Sequence, residues 1–326
     1  MIPVVYSTHQ LHPRAAERLK GKADLVIATA LDAATLAREG SGADIVIVRA
    51  NIPPDLFDKA KHLRAAIRHG AGLDMIPLAE ATQAGVIVAN VPGVNAQTVA
   101  DYVMFAALAL ARRFREIDSD LRQKGWFAGR SHAESARELR GLTMGIVGMG
   151  HLGRAISSMV QAGLGMKVIA HTRRNSGFPD GVAPVSLDQV FSDSDVVVLA
   201  CPLTEETRGM VGEKQFARMK RGAYLINVAR GAVLVEDALL TALRSGHLGG
   251  AALDVFPTQP LPADHPLLGF SNVLLTPHLA GITEESMERM GLGAVGEALR
   301  ILSGELPVNL VNPDVVPAYR KRFPQS

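Results

Sequence analysis

The chain contains one cysteine, one tryptophan and only 5% aromatic residues among 326. A lone thiol, Cys201, cannot form an internal disulfide, which fits a reducing cytoplasmic compartment. Its setting after Val196-Val197-Val198-Leu199-Ala200 reads as a buried, inert thiol rather than a nucleophile. No basic run is interleaved with aromatics, and 34 basic against 32 acidic side chains leave a net charge of +2. Nucleic acid is therefore not an expected partner. The longest apolar stretch, around Tyr102 to Ala111, is too short to cross a bilayer. Met1-Ile2-Pro3-Val4-Val5-Tyr6 lacks a charged leader and a long apolar core, so it does not read as a signal peptide. The expectation is a soluble cytoplasmic protein, long enough for two domains, with no metal site and no membrane partner.

What is present is an alternation of short apolar strands with helical patterns, the mark of parallel sheets with crossover helices. The first part offers strands at Val4–Tyr6, Leu25–Ala28, Ile45–Arg49, Ala65–Arg68 and Val86–Ala89, with helices such as Ala33–Glu39 and Ile76–Ala84 between them. A long helical segment follows, from about Thr98 to Lys124. Six further strands are expected at Met144–Val147, Lys167–Ala170, Asp195–Ala200, Tyr224–Val228, Gly250–Val255 and Val273–Leu275. With no seventh strand in view, the apolar-periodic helix from Thr283 to about Leu302 should return to the first domain. The expected plan is a continuous domain at 99–283 inserted in a split one at 1–98 and 284–326.

Thr143 to Gly153 carries Gly-x-Gly-x-x-Gly at Gly148, Gly150 and Gly153, between an apolar strand and a helix. In that context the glycines describe a dinucleotide cradle. Gly148 permits the tight turn, Gly150 lets backbone approach the pyrophosphate, and Gly153 lets helix and strand pack closely. The insert is thus expected to be a Rossmann domain of six strands.

The next strand ends in His171-Thr172-Arg173-Arg174. NAD-binding versions usually place an acid there for the ribose 2′-hydroxyl, and that carboxylate repels a 2′-phosphate. Here Thr172 stands in its place and two arginines follow. An Arg–phosphate contact contributes roughly 1.5–3 kcal/mol, so NADP is expected over NAD. The alternative is that both arginines are solvated loop charges and cofactor choice is loose.

Three polar residues sit just past expected strand ends, where open α/β sheets place their ligands: Arg230, Gln259 and His278. Hydride transfer to a ketone develops an alkoxide, which needs a cation and a proton donor. Arg230 would hold the substrate's acid group and polarise its carbonyl; His278 would move the proton. The plainer reading is a surface arginine and a histidine merely hydrogen-bonded in its loop.

Together these segments resemble the D-isomer-specific 2-hydroxyacid dehydrogenases over nearly the full length. Leu225-Ile226-Asn227-Val228-Ala229-Arg230-Gly231 and Leu274-Leu275-Thr276-Pro277-His278 carry the strongest match. Arg68-His69-Gly70-Ala71-Gly72-Leu73-Asp74 resembles the substrate loop, Val91 to Asp101 the interdomain segment, and Cys201-Pro202-Leu203-Thr204 with Thr207 a cofactor loop. The resemblance implies a smaller flavodoxin-like substrate domain beside the Rossmann domain, with substrate in the cleft between them. It implies a homodimer through the long helix and the arm around Trp126 and Phe127. It implies catalysis by Arg230 and His278 with a third residue, and substrate contacts from Gly70, Ala71 and Gly72. Arg49 is a second cationic contact to substrate or a salt-bridged strand-end arginine. Implied cofactor contacts are Thr98, Gly148, Gly150, His151, Leu152, Gly153, Thr172, Arg173, Arg174, Cys201, Pro202, Thr207, Val228, Ala229, Asp254, His278 and Gly281, with Asp254 meeting the nicotinamide amide.

The chain departs from the family pattern in three places. Gln259 stands where relatives usually carry Glu, Asp101 where Glu is common, and Thr172 where an acid is usual. Gln259 can orient the imidazole but supplies no charge, so His278 should titrate lower than in Glu-bearing relatives. Formate dehydrogenases of the same family also use Gln here. A formate-type enzyme is therefore one alternative, and a dinucleotide-sensing regulatory protein another.

Overall fold

Val, Ile, Leu and Ala fill the strand runs, and parallel strands buried on both faces need such runs rather than strict alternation. In the computed structural model, which describes residues 2–173 and 177–324, these runs build two units. They span Met1–Asn95 with Ile282–Ser326, and Ala96–Gly281. The joins therefore fall at Asn95/Ala96 and Gly281/Ile282, slightly before the expected boundaries after Thr98 and Thr283.

The first unit holds β1 (Val4–Ser7), β2 (Asp24–Ile27), β3 (Ile45–Val48), β4 (Ala65–Arg68) and β5 (Ile87–Ala89) in the order β2-β1-β3-β4-β5. All its pairings are parallel, and this is the flavodoxin-like order. Alternate residues feed two cores. Val5, Ile45, Ile47, Ile67 and Ile87 meet Ala294, Val295 and Ile301 of the helix Glu284–Leu302. Tyr6, Val46, Val48 and Val88 meet Leu36, Leu56 and Phe57 on the other face. Thr283 caps that helix: its hydroxyl accepts from the Ser286 amide at 3.2 Å, while Ser286 Oγ accepts from the Thr283 amide at 2.8 Å.

The second unit holds β6 (Thr143–Val147), β7 (Lys167–His171), β8 (Val182–Pro184), β9 (Val196–Leu199), β10 (Tyr224–Asn227), β11 (Gly250–Leu253) and β12 (Val273–Leu275). Their order is β12-β11-β10-β9-β6-β7-β8, again parallel throughout. The order reverses between β6 and β9, the place where a doubly wound sheet opens a crevice at its carboxyl edge.

Two expectations need correction. The sheet has seven strands, because β8 adds an edge; its three residues bury only Val182, too little for a periodic signal. Helix Glu284–Leu302 thus packs in the first unit despite a seventh strand in the second. The segment from Thr98 to Lys124 is not one helix but two, Ala96–Ala111 and Phe114–Lys124. Arg113 breaks it in the left-handed region (φ 53°), fixed by a bidentate pair to Glu116 at 2.7 and 2.6 Å and a bond to Ser135.

Candidate active site

Strand β6 runs into Gly148, whose φ of +104° favours glycine. A Cβ there would lie 2.8 Å from backbone atoms of Ala200 and Cys201, so the turn is closed to any side chain. Gly150 then caps the helix His151–Leu164, and a Cβ on it would meet nothing within 4 Å. A tight turn, a bare approach at Gly150 and the helix start at His151 and Leu152 fit a pyrophosphate, with Gly153 packed against the Gly148 carbonyl.

The loops beyond the neighbouring strands are pinned from within. Thr207 Oγ1 donates to the Pro202 carbonyl and accepts from the Thr204 amide, both at 2.8 Å. Burial pushes the Cys201 thiol up to about 11, so it stays protonated and inert. Thr98 is buried in the first turn of its helix.

Past β7, Thr172 is half-buried and Arg173 is exposed. Arg173 pairs with Glu206 at 3.0 Å, which the sequence did not suggest. A carboxylate is thus present near this strand end after all, supplied by the Pro202–Thr207 loop. Arg174 lies outside the described residues.

Register sets where the two candidate residues emerge. Asn227, Leu253 and Leu275 are aligned across β10, β11 and β12, and Arg230 and His278 each follow three residues beyond their strand end. Both therefore emerge at the same edge of one sheet. Buried Asn227 shapes the first loop, accepting from the Ala229 amide at 3.0 Å and donating to the Arg230 carbonyl at 3.1 Å. Val228 stays bonded to β9 through its amide, and Arg230 Nη1 donates to the Ala229 carbonyl at 2.7 Å.

The His278 ring is oriented by Gln259. Gln259 Nε2 donates to the Phe256 carbonyl at 3.2 Å, which turns Oε1 toward His278 Nδ1, also at 3.2 Å. An amide oxygen can only accept, so Nδ1 keeps its proton and Nε2 becomes the nitrogen that exchanges one. His278 also has φ +56°, a left-handed conformation costing a non-glycine residue about 1–2 kcal/mol. Its amide is held by the carbonyls of Asp254 (2.8 Å) and Thr276 (3.0 Å).

Asp254, 2% exposed, anchors the same segment. Its carboxylate accepts from Thr276 Oγ1 at 2.7 Å, the Leu279 amide at 2.8 Å and the Ala280 amide at 3.0 Å, just before Gly281. Burial raises its pKa, against the pull of these donors and of His278 nearby. Behind it, the Tyr102 hydroxyl lies 2.8 Å from Thr276 Oγ1.

The remaining candidates belong to the first unit. Arg68 donates to the carbonyls of Gly72 (3.0 Å), Val48 (2.9 Å) and His69 (2.9 Å). The loop's oxygens thus point inward, and the amides of Ala71 and Gly72 have no hydrogen-bond partner among the described residues. Gly70 adopts φ +137°. Arg49 follows β3 and reaches only the Gln10 carbonyl, at 3.4 Å. Among the described residues no carboxylate pairs with it, so the salt-bridged alternative is not what the structure shows. The sequence reading passed over His69, which is 2% exposed with neither ring nitrogen hydrogen-bonded. Glu206 and Tyr102 were also missed as site neighbours, and no local motif marks them; Thr276 stood within the His278 motif without a role of its own.

The family model for the D-isomer specific 2-hydroxyacid dehydrogenase NAD binding domain matches residues 104–280. A glyoxylate reductase of Korarchaeum cryptofilum is 40% identical over 269 residues, covering 81% of each chain. One from Aeropyrum pernix is 35% identical, covering 98% of this chain and 99% of its own. Among solved structures, an NADPH-dependent glyoxylate/hydroxypyruvate reductase from Sinorhizobium meliloti, in complex with NADP and malonate, superposes with a TM-score of 0.85. It is 28% identical and the match covers 97% of this chain and 98% of that one. With its glycine cradle, its inserted parallel sheet and these relatives, the chain belongs to the D-isomer-specific 2-hydroxyacid dehydrogenases, which are NAD(P)-dependent oxidoreductases.

Proposed function

We propose that the chain reduces a small 2-oxoacid to its D-2-hydroxyacid with NADP(H) as preferred dinucleotide, NAD being accepted as well. The observation carrying this reading is the Gln259–His278 pair at the sheet edge that also presents Arg230. The glyoxylate reductases among its relatives point to glyoxylate and hydroxypyruvate as the first acids to try.

In this reading the dinucleotide supplies the hydride. The backbone from Gly148 to Gly153 would hold its pyrophosphate, and Thr172 and Arg173 would meet the ribose end. Cys201, Pro202, Thr207, Val228, Ala229, Asp254, Gly281 and Thr98 complete its contacts. Arg230 takes the substrate carboxylate and polarises the reacting carbonyl. His278 Nε2 donates the proton in reduction and accepts it in oxidation, while Gln259 holds Nδ1–H. Arg49 and the Gly70–Gly72 loop are assigned to the substrate's anionic group. The exposed apolar set on the two helices and the arm supports a homodimer: Phe105 at 56%, Phe114 at 56%, Trp126 at 65% and Phe127 at 85% exposure. The compartment is the cytoplasm.

A formate-type dehydrogenase is the second reading, favoured by Gln259, since formate oxidation leaves no proton for the histidine to move. A panel of glyoxylate, hydroxypyruvate, pyruvate and phenylpyruvate with NADPH and NADH, against formate with NADP and NAD, decides between them. Turnover of 2-oxoacids is the expected result. Turnover of formate alone would replace the first reading with the second.

A further inference from the structure

Asp254 is a buried carboxylate next to the left-handed His278, and its three acceptor bonds leave the His278 segment little freedom. The donor set has an order to it. Thr276 has a single hydroxyl proton, which it gives to Asp254 Oδ1 at 2.7 Å. The Tyr102 hydroxyl, 2.8 Å away, must then act as donor to Thr276 Oγ1, because that oxygen has no second proton to offer. Tyr102 lies on helix Ala96–Ala111, whose buried face packs against the sheet through Val103, Ala106 and Leu110. Burial pushes its hydroxyl up to about 12, so it remains a donor at all working pH values.

We infer that the Tyr102 hydroxyl is a positioning group for His278, acting in series through Thr276 and Asp254. The inference rests on reading His278 as the proton-transfer residue. The chain Tyr102 to Thr276 to Asp254 fixes the carboxylate that holds the Leu279 and Ala280 amides, and so fixes the ring that precedes them. It also opposes the rise that burial imposes on the Asp254 pKa. Among the described residues, Gln259 meets the His278 ring and Asp254 lies within electrostatic reach of it; Arg230 leaves the same sheet edge from β10, and Tyr102 stands behind Thr276. Asp254 is a carboxylate whose attraction to His278 is evident. Without the Tyr102 donor, Thr276 is free to rotate away, the buried anion is less well held, and the imidazolium loses part of its counter-charge.

The test uses the full-length protein. Tyr102→Phe keeps the ring and removes only the donor; Thr276→Val removes the relay and Thr276→Ser restores it. The His278 ring is followed by NMR pH titration, its signals identified by their loss in His278→Ala, alongside kcat and KM. Tyr102→Phe should lower kcat about three- to tenfold with KM for the 2-oxoacid nearly unchanged. It should move the His278 midpoint down by roughly 0.3 pH unit, a twofold change in proton affinity. Thr276→Val should do at least as much, Thr276→Ser should behave as the parent, and Tyr102→Phe should add nothing to Thr276→Val. An unchanged midpoint and kcat in Tyr102→Phe would overturn the inference, and so would additive losses in the double variant. A lowered thermal midpoint with an unmoved titration would reduce Tyr102 to a packing residue. If the midpoint moves but His278→Ala turns over 2-oxoacids as the parent does, the positioning stands and the proposed proton-transfer role fails.

Discussion

At the carboxyl edge of the seven-stranded sheet the buried Asp254 accepts three hydrogen bonds; at the same edge of the five-stranded sheet the buried His69 makes none through its ring. Both are ionisable and both are 2% exposed, yet the surroundings treat them oppositely. Donors converge on Asp254 and offset the cost of burying its charge. Burial pushes the pKa of His69 down to about 3, and Arg49, Arg68 and, least, His9 add to the effect by opposing a further positive charge. One edge holds a buried carboxyl group in place with three donors. The other keeps a group neutral beside Arg49, for which no carboxylate partner is found among the described residues; under the proposed function that arginine takes its counter-charge from a bound acid.

The largest way to break the contrast is at the first edge. Removing the proposed proton-transfer group by His278→Ala should lower kcat for 2-oxoacid reduction about 10²- to 10⁴-fold. Arg230→Ala should cost about 10²- to 10³-fold, because a preorganised charge at the developing alkoxide is lost. Neither should weaken dinucleotide binding measured by fluorescence titration by more than a few fold. Comparable turnover in either variant would leave the shared strand edge without catalytic meaning.

The next effect falls on the second edge and concerns stability. Burial holds the His69 pKa at about 3, below the ordinary histidine value of 6.5, so the folded state favours the neutral ring. That preference is fully present above pH 6.5 and is lost as pH falls toward 3, because the unfolded chain takes up the proton first. If the whole shift is expressed, the loss is on the order of 5 kcal/mol. His69→Leu removes both unpartnered nitrogens, so urea unfolding of the first unit should change little at pH 7 and should weaken less on acidification. An identical pH slope in parent and variant would show that His69 does not titrate in this window.

Much of this was legible in the chain, and for identifiable reasons. Gly148, Gly150 and Gly153 are read from spacing because the cradle is built from contiguous backbone, and Arg230 and His278 because each follows a strong strand. The break at Arg113 was hidden because it depends on partners, Glu116 and Ser135, that exist only in the fold. The same holds for Tyr102, 174 residues from Thr276, and for the Arg173–Glu206 pair, 33 residues apart. Local patterns report backbone geometry; long-range side-chain pairs leave no spacing to read.

That ion pair sharpens the cofactor question. A 2′-phosphate has to draw Arg173 away from Glu206, and both side chains are solvated enough that their pairing is weak. Thr172→Asp places a carboxylate directly after β7, so the ratio of NADPH to NADH dissociation constants should rise about tenfold or more. Glu206→Gln should move the ratio the other way by a smaller factor. If Thr172→Asp leaves the ratio unchanged, the arginines are solvent charges and cofactor choice is made elsewhere.

The smallest expected effect separates the two jobs of Gln259. In Gln259→Glu an oxygen can still accept from His278 Nδ1–H, but the new carboxylate stabilises the imidazolium and raises its pKa. Reduction needs the protonated ring, so its descending limb should move to higher pH, by less than about one unit because residue 259 is exposed. The shift should shrink in high salt, as an exposed charge effect must. The substitution also removes the amide donor to the Phe256 carbonyl, setting oxygen against oxygen where a 3.2 Å bond stood. The ring is then more strongly charged but less firmly aimed: kcat at the pH optimum should fall a few fold while the limb moves up. A limb that stays in place would mean that the partner of His278 acts by geometry alone.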